Sequence, residues 1–188
     1  MKDGVGCWEE WKLKYPDKFL SLGAIFNRIH PGSRIFVGTG CGEPQYLVGA
    51  LKEYVQKRPK ALIDTEILHV WTLGIVPCAE EKFKDNFRLN SFFVGPCTRG
   101  AADYTPIFLS EVPSLFRKGA IPLDVALIQT STPDKIGYMS LGISVDIAKT
   151  AIEALGRWVL PDETDLLKLH FDDFYNHVRY FSFDSYLN

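Results

Sequence analysis

The sequence predicts an α/β protein with an open, largely parallel sheet flanked by helices. Short apolar segments alternate with amphipathic segments of helical period along most of the 188 residues. The segment LDVALIQT at 123–130 is almost continuously apolar, as in a strand covered on both faces. The segment RIFVGTGCGEPQ at 34–45 passes from an apolar strand through alternating glycines into a proline-started helix.

Two helices flank the first predicted strand. Apolar residues spaced by three and four predict a helix over Lys18–His30, which Pro31-Gly32 should stop. The strand RIFVG follows from Arg34, and a second helix begins near Pro44. Its buried stripe should consist of Leu47, Val48, Leu51, Tyr54 and Val55.

Three further strands are predicted from their apolar and β-branched content. They cover Glu66–Leu73, Leu89–Val94 and Leu123–Thr130. Helical segments lie between them, so that successive strands should run parallel.

Two helices are predicted in the second half of this region. The helix over Thr105–Arg117 should be interrupted at Pro113. The helix over Ser144–Leu155 should be capped by Ser144, with its inward face formed by Ile147, Ala148, Ala151, Ile152 and Leu155.

The predicted organisation is one domain over residues 1–155 and a divergent tail over 156–188. The tail is crowded with aromatic residues that follow no clear period. One helix over Leu166–Val178 is the expected element there.

Composition excludes several classes of function. A formal net charge of −2 and the lack of a Lys/Arg block argue against a nucleic-acid partner. The four cysteines form no Cys-x-x-Cys pair, which argues against a zinc site and a disulfide framework and suggests a reducing compartment. No apolar run approaches the roughly 18 residues of a membrane helix, and no signal-peptide core is visible. A cytoplasmic protein without a membrane partner is therefore expected.

The glycine loop that follows the first strand is the first candidate site. Gly38, Gly40 and Gly42 remove side chains where the chain must turn tightly or let a ligand approach. The helix that follows should aim free backbone N–H groups at an anion or an acyl carbonyl. The spacing is G-x-G-x-G rather than G-x-G-x-x-G, which disfavours a dinucleotide site. The alternative is a strand-to-helix turn that simply needs small residues.

Two side chains in this loop have chemistry of their own. Glu43 is a candidate general base if it is desolvated, or a carboxylate favoured by the start of the helix, and the second role needs fewer assumptions. Cys41 lies near the same helix start, where a thiol pKa is lowered, but no His or Asn is visibly paired with it. No nucleophile is assigned.

The second candidate site is the loop TSTPDKIGYMSLG at 130–142. It leaves the apolar strand with hydroxyls, glycines, a proline and a tyrosine, at the sheet edge where ligands collect in open α/β folds. No G-x-S-x-G nucleophile elbow is present, and Asp134 after Pro133 is typical of a turn. His170, Asp172, Asp173 and His177 are metal-ligand types without a recognised spacing, so no metal site is predicted.

Four segments of the sequence occur in a characteristic order. They are PGSRIFVGTGCGEPQYLVGAL at 31–51, HVWTLG at 69–74, FRLNSFFVGPCTRGAADYTPIFLSEVPSLFRKG at 87–119 and LDVALIQTSTPDKIGYMSLGISVDIAKTAIEAL at 123–155. Together they resemble the acetyl-CoA hydrolase/transferase family, which includes 4-hydroxybutyrate and butyrate:acetate CoA-transferases. The resemblance covers the N-terminal half of that family and ends near Leu155.

The resemblance implies an N-terminal CoA-transferase domain with a fold similar to NagB and RpiA. It implies CoA transfer between an acyl-CoA and a small carboxylic acid such as acetate, butyrate or 4-hydroxybutyrate. Coenzyme A is then a substrate, and no permanently bound cofactor is expected. In this family a glutamate attacks the acyl-CoA, becomes a glutamyl-CoA thioester, and passes CoA to a second carboxylate.

The family's nucleophilic glutamate and glycine-rich CoA-binding segment lie in the C-terminal half, which the sequence does not include. The resemblance therefore implies activity only with a C-terminal half, and either that half or a homo-oligomer is an expected partner. The residues that it implies as lining the substrate and CoA cleft are Gly38, Gly40, Gly42, Glu43, Pro44, Gln45, Ser131, Pro133, Asp134, Gly137, Tyr138, Ser140 and Gly142.

A second hypothesis keeps the fold and removes the catalysis. The chain would then be a truncated binding or assembly module whose aromatic tail covers the surface that the other half normally buries. A large exposed apolar patch would otherwise favour association.

Overall fold

Short strands and helices alternate along the chain, as the predicted α/β class requires. The computed structural model describes residues 10–11, 13–14, 16, 20–74, 79–96, 98–131, 138–155 and 168–170. Numbered in chain order, its helices and strands are α1 (Leu22–Phe26), β1 (Arg34–Val37), α2 (Gln45–Lys57), β2 (Thr65–His69), β3 (Phe87–Ser91), β4 (Asp103–Tyr104), α3 (Val112–Arg117), β5 (Val125–Leu127), β6 (Tyr138–Ser140), α4 (Ala148–Leu155) and β7 (Lys168–His170). Short 3-10 turns occupy Gly40–Gly42, Glu81–Phe83 and Leu109–Glu111.

Five strands form one sheet in the order β4-β3-β2-β1-β5, and all four pairings are parallel. Ile35 of β1 lies opposite Ile67 of β2 on one side and opposite Val125 of β5 on the other. The chain therefore proceeds from β1 to β2, β3 and β4 in one direction and returns on the other side of β1. The carboxyl end of β1 is thus a topological switch point, where open α/β sheets hold their ligands.

The sheet has an apolar cluster on each face. Alternation along the strands sends Ile35 and Ile67 toward α1 and α2, while Phe36 and Leu68 face α3 and α4. All five residues of the predicted stripe on α2 are buried, which confirms that helix.

Tertiary contacts shorten several predicted elements. The helix predicted over Lys18–His30 is confined to α1, which is capped by the Ser21 hydroxyl accepting from Ala24 N at 3.3 Å; residues 17–19 lie outside the described range. The strand predicted over Glu66–Leu73 ends at His69, because the next residues bend into a loop. The strand predicted over Leu89–Val94 is shifted to Phe87–Ser91, and the one predicted over Leu123–Thr130 is limited to β5.

Two predicted features of the later helices are wrong. Pro113 lies in the first turn of α3, where its missing N–H costs nothing, and so it begins the helix rather than interrupting it. Helix α4 begins at Ala148 and not near Ser144. Its first N–H groups are capped by Asp146, whose Oδ1 accepts from the backbone N–H of Ile147 and of Ala148.

The helix predicted over Leu166–Val178 is wrong where the structure describes it. Residues Lys168–His170 form β7, which pairs antiparallel with β6 in a separate two-stranded sheet. The remaining residues of that prediction lie outside the described range. Among the helices within that range, none is long and apolar enough to span a membrane.

Candidate functional site

The glycine loop, residues 38–44, leaves the carboxyl end of β1 at the switch point of the sheet. Gly38 continues the edge of the strand, since its N–H donates to the carbonyl of Leu127 at 2.9 Å. A 3-10 turn then covers Gly40–Gly42, and α2 starts directly after Pro44. Gly40 has a φ of +56°, a left-handed conformation that glycine adopts without strain.

The space beside Gly38 and Gly42 is occupied by other atoms of the chain. A Cβ at Gly42 would lie 3.0 Å from Cβ and 3.2 Å from the carbonyl oxygen of Ser144, and one at Gly38 would lie 2.8 Å from the carbonyl oxygen of Gly42. The separation at Gly38 is too short for a real Cβ, and those at Gly42 would require Ser144 to shift by a few tenths of an ångström, so the two glycines allow the loop to fold tightly and to pack on the segment before α4. The alternative proposed from sequence, a turn that needs small residues, accounts for these two positions.

Most backbone N–H groups of the glycine loop, and that of Gln45 at the start of α2, already donate to carbonyl oxygens of the protein. Gly40 N donates to the carbonyl of Trp71 at 3.0 Å, and Gly42 N to that of Thr39 at 3.0 Å. Glu43 N donates to Gly40 O at 3.3 Å, and Gln45 N to Glu43 O at 2.9 Å. Donors that already have carbonyl partners cannot also bind an oxyanion without breaking those bonds.

The glycine loop is joined to the segment before α4 by one side-chain hydrogen bond. The hydroxyl of Thr39 donates to Oδ2 of Asp146 at 2.5 Å, while the other oxygen of that carboxylate caps α4. Asp146 has a φ of +23°, which is unusual for a residue with a side chain. One carboxylate thus connects the start of α4 to the loop after β1.

The described residues of the second predicted loop follow β5 up to Ser131 and resume with β6 at Tyr138. Ser131 and Ser140 are joined by two bonds of 2.8 Å, from Ser131 N to the Ser140 carbonyl and from Ser140 N to the Ser131 hydroxyl. Gly142 has a φ of +77°, and its N–H donates to the Ser140 hydroxyl at 3.2 Å. Tyr138 is the first residue of β6. Pro133, Asp134 and Gly137 lie outside the described residues.

Glu43 has a different role from the one expected at a helix start. Its side chain is buried, with 6% of the residue exposed, and makes no capping bond to α2. Instead, its Oε2 accepts the Thr72 hydroxyl at 2.6 Å and the backbone N–H of Leu73 at 3.3 Å. Glu43 therefore fastens the glycine loop to the loop that follows β2, residues 70–74.

Two further contacts join the same pair of loops. A Cβ at Gly74 would lie 1.8 Å from Nε2 of Gln45, so Gln45 occupies the space beside that glycine. Trp71 accepts the hydrogen bond from Gly40 through its carbonyl, and its indole lies against Gly95, where a Cβ would be 2.6 Å from Nε1. The loops after β1, β2 and β3 therefore form one packed edge of the sheet.

Large apolar side chains are exposed along this edge. The rings of Trp71 and Phe93 meet edge to face with centroids 6.3 Å apart, and Phe93 is 60% exposed. Leu73 and Ile143 are also exposed. Aromatic and aliphatic groups that share an exposed edge are typical of a surface that binds a partner or an apolar ligand.

His69 is a buried imidazole at the carboxyl end of β2. Burial lowers its pKa to about 4, and its Nε2 has no hydrogen-bond partner. The side chain is therefore neutral at pH 7. Sequence analysis did not single out His69, because its position in HVWTLG gives no sign of its burial.

The remaining candidates form no metal-binding group among the residues that the structure describes. Cys41 is exposed and forms no disulfide. No group of three or more His, Cys, Asp or Glu side chains in this part of the chain could hold a metal ion. His170 is the last residue of β7, and Asp172, Asp173 and His177 lie outside the described residues.

Sequence reasoning missed the residues that hold the loops together. An N-cap preference signals Asp146 as clearly as Ser144, so the cap at position 146 was detectable. Thr39 and Thr72 carry no comparable signal, because their partners lie 107 and 29 positions away in the chain.

Two curated proteins are similar to this chain in sequence. The chain is 42% identical over 150 residues to 4-hydroxybutyrate coenzyme A transferase from Clostridium kluyveri, a match that covers 77% of the chain and 34% of the relative. It is 41% identical over 133 residues to a succinyl-CoA:acetate/propanoyl-CoA:succinate CoA transferase from Fasciola hepatica, covering 68% of the chain and 27% of the relative. The chain thus matches about a third of the length of these relatives.

Solved structures share the fold at lower identity. The crystal structure of 4-hydroxybutyrate CoA-transferase from Porphyromonas gingivalis superposes with a TM-score of 0.64 at 24% identity, over 87% of this chain and 39% of that one. RipA from Yersinia pestis superposes with a TM-score of 0.65 at 18% identity, over 85% and 41% of the two chains. These likenesses support the fold.

A family model decides the assignment. The model of the acetyl-CoA hydrolase/transferase N-terminal domain matches residues 8–160, which is most of the chain. The match includes β1 to β6 and both candidate loops. Together with relatives above 40% identity, it shows that the chain belongs to the acetyl-CoA hydrolase/transferase family and carries its N-terminal domain.

Proposed function

We propose that this chain is the N-terminal domain of a CoA-transferase that moves CoA between an acyl-CoA and a small carboxylic acid. The observation that carries the proposal is the packing of the glycine loop against the segment before α4 at the switch point, through the contact of Gly42 with Ser144 and the bond from Thr39 to Asp146. In an open α/β sheet this is where a substrate is bound. The curated relatives are named for CoA transfer, with 4-hydroxybutyrate in one name and succinate, acetate and propanoyl groups in the other.

The proposed chemistry needs a glutamate that a C-terminal half supplies. Its carboxylate adds to the thioester carbonyl and releases CoA as a thiolate, which leaves an acyl-glutamyl anhydride. The thiolate attacks the glutamyl carbonyl of that anhydride, releases the first carboxylic acid as its carboxylate, and forms the glutamyl-CoA thioester. The second carboxylate reverses these two steps.

This chain's own residues have a supporting task in that reaction. Most N–H groups of the glycine loop already have carbonyl partners, so the loop serves mainly as a wall of the cleft rather than as a set of oxyanion donors. The cleft wall proposed for the acyl and carboxylate groups consists of Gly38, Gly40, Gly42, Glu43, Pro44, Gln45, Ser131, Pro133, Asp134, Gly137, Tyr138, Ser140 and Gly142.

The partner is proposed from the exposed edge. Trp71, Leu73 and Phe93 lie at the carboxyl end of the sheet and are exposed in the chain by itself. A C-terminal half that closes the cleft would cover them, and burying such side chains is the main driving force of association. A homo-oligomer is the other assembly compatible with this surface.

Reconstitution tests the proposal directly. The 188-residue chain is co-expressed with the C-terminal remainder of the Clostridium kluyveri relative, and the purified mixture is assayed for conversion of acetyl-CoA and butyrate into butyryl-CoA and acetate. We expect transfer with both parts and none with either part alone. A glutamyl-CoA thioester trapped with borohydride on the C-terminal part would identify the covalent step. Formation of the complex without transfer of CoA would contradict the proposal.

A second candidate function is a noncatalytic binding module. The observation that favours it is the pairing of β7 with β6, because this places part of the tail beside the second candidate loop. Deleting residues 157–188 should then expose apolar surface and change the oligomeric state measured by light scattering. An unchanged oligomeric state and solubility would exclude this function.

A further inference from the structure

The buried carboxylate of Glu43 joins the glycine loop to the 70–74 loop at the carboxyl edge of the sheet, and its contacts suggest a task other than proton transfer. Both donors, the Thr72 hydroxyl and the Leu73 N–H, bind the same oxygen, Oε2. Because one oxygen accepts both hydrogen bonds, it fixes the positions of the Thr72 hydroxyl and the Leu73 N–H relative to each other. The second oxygen of the carboxylate takes part in neither bond.

The loop that Glu43 holds carries the exposed Trp71. The indole ring is confined by Gly95 behind it and by Phe93 at its edge, while the backbone carbonyl of Trp71 accepts from Gly40. The position of the ring at the cleft edge therefore depends on how residues 70–74 sit against the glycine loop. Glu43 supplies two side-chain hydrogen bonds between them.

We propose that Glu43 is a positioning residue, which fixes the 70–74 loop against the glycine loop through Oε2 and thereby sets the place of Trp71 at the exposed carboxyl edge of the sheet. This inference rests on the proposed function for its catalytic consequence. The geometric part, namely that Glu43 sets the position of Trp71, holds for the chain by itself. The two parts can therefore be tested separately.

Conservative substitution separates positioning from proton transfer. Glu43→Gln keeps an oxygen at the place of Oε2 and can still accept both bonds, whereas Glu43→Ala removes the acceptor. A general base needs the carboxylate, so in that role both variants would fail equally. Thr72→Val removes one donor at similar side-chain volume, and Glu53→Gln, on the exposed face of α2, is the matched control.

The first experiment measures amide hydrogen exchange of the Leu73 and Gly74 N–H groups in the 188-residue chain. We expect exchange at least tenfold faster in Glu43→Ala, severalfold faster in Thr72→Val, and within threefold of the original chain in Glu43→Gln and Glu53→Gln. The chain is also labelled with 5-fluorotryptophan, and the ¹⁹F resonance of Trp71 is assigned by its loss in Trp71→Phe. We expect this resonance to shift in Glu43→Ala and to keep its position in Glu43→Gln. Unchanged exchange and an unchanged Trp71 resonance in Glu43→Ala would overturn the inference.

The second experiment uses the reconstituted mixture of both halves. For a positioning residue, kcat/KM for CoA transfer should fall by tenfold or more in Glu43→Ala and stay within threefold in Glu43→Gln. An equal loss in both variants, with unchanged hydrogen exchange in Glu43→Gln, would contradict positioning and favour a base. If the original mixture transfers no CoA, the proposed function fails, and the exchange and ¹⁹F results still decide the role of Glu43.

Discussion

The two ends of the parallel sheet hold a buried carboxylate by different means. At the amino end, Glu66 on β2 is bound by the Arg34 guanidinium at 2.5 Å and by the Asn90 amide at 2.9 Å. At the carboxyl end, Glu43 is bound by a hydroxyl and a backbone N–H, both of them neutral donors. The amino end thus uses charge pairing across strands, and the carboxyl end uses hydrogen bonds between loops.

The amino and carboxyl ends of the sheet use these two kinds of bond for different purposes. The bonds of Glu66 connect β1, β2 and β3, and a further bond from the Thr105 hydroxyl to Asn90 at 2.9 Å extends the network past β4. Such a network fixes strand positions across one face of the sheet. The bonds of Glu43 and Asp146 instead fix loops that have no regular partner. The amino end is built for stability and the carboxyl end for the shape of a site.

The largest expected effect comes from acid acting on the carboxyl end. Burial lowers the pKa of His69 from its ordinary value of 6.5 to about 4, so the unfolded chain binds a proton that the folded chain excludes. The contribution of neutral His69 to the free energy of unfolding is fully present above pH 6.5 and is lost as the pH falls to about 4. The free energy of unfolding should decrease by about 3 kcal/mol over this window. Denaturant unfolding at a series of pH values measures it.

A matched histidine provides the control for this effect. His69→Met removes the titrating group at a similar volume, and its unfolding free energy should vary much less between pH 6.5 and 4. His30→Gln changes an exposed histidine and should keep the original pH profile. A profile that is unaltered in His69→Met would contradict the assignment.

The next effect is expected at the amino end, from loss of the cation. Arg34→Ala leaves the Glu66 carboxylate, whose side chain is 11% exposed, without its charged partner. Because the Arg34 side chain is itself 30% exposed, we expect the free energy of unfolding to fall by about 2 to 3 kcal/mol. This is less than the loss expected when one partner of a deeply buried ion pair is removed. Arg88→Ala removes an exposed ion pair with Asp64 and should cost less than about 1 kcal/mol. Equal losses in both variants would contradict the comparison.

At the amino end, the protonation of Glu66 should also lower the free energy of unfolding, at a lower pH than that of His69. Burial raises the pKa of Glu66, but hydrogen bonds from Asn90 and Arg34 and the charges of Arg34 and Arg88 together hold it below its ordinary value of 4.5. Its stabilisation is therefore present above pH 4.5 and is lost as the pH falls below that value. In Glu66→Gln the loss below pH 4.5 should shrink while the loss between 6.5 and 4 remains, as measured by denaturant unfolding.

Two glycines give the smallest effects, with opposite signs. Gly38→Ala places a Cβ 2.8 Å from a backbone carbonyl in the glycine loop, and we expect it to lower stability by about 1 to 2 kcal/mol. Gly49→Ala adds a methyl group inside α2 where, apart from the neighbouring residues and the backbone of the helix itself, no atom lies within 4 Å, and it should raise stability by about 0.5 to 1 kcal/mol. Thermal unfolding compares them. A destabilising Gly49→Ala would mean that α2 is packed differently.

The sequence was sufficient for the class of fold and for the helix after the glycine loop. An apolar stripe that recurs with helical period decides both the existence and the buried face of α2, because burial of that stripe is local to one element. The parallel arrangement followed from the same kind of pattern. The segment around β5 was recognised as buried because both faces of it had to be apolar.

The site was predicted less well, and the reason is physical. The pocket formed by the glycine loop and the start of α2 was expected to offer free N–H groups. Whether a donor is free depends on which carbonyl lies beside it, and Trp71, the partner of Gly40, lies 31 positions after it. The burial of Glu43 depends on Thr72 in the same way. The end of β2 was predicted too late for a related reason. The strand stops at His69 because hydrogen bonds to Gly40 and Glu43 hold the residues that follow in a loop. Such contacts are set by tertiary structure and leave no mark on local periodicity.

The strand order has a consequence for how the chain folds during synthesis. Ile35 pairs with Ile67, 32 positions later, and with Val125, 90 positions later. Closing the longer loop costs about 1 kcal/mol more chain entropy, so β5 should join after β1 and β2 have paired. Until β5 leaves the ribosome, one edge of β1 has unpaired N–H and C=O groups exposed. That interval is when a nascent chain can pair with a neighbouring polypeptide and aggregate.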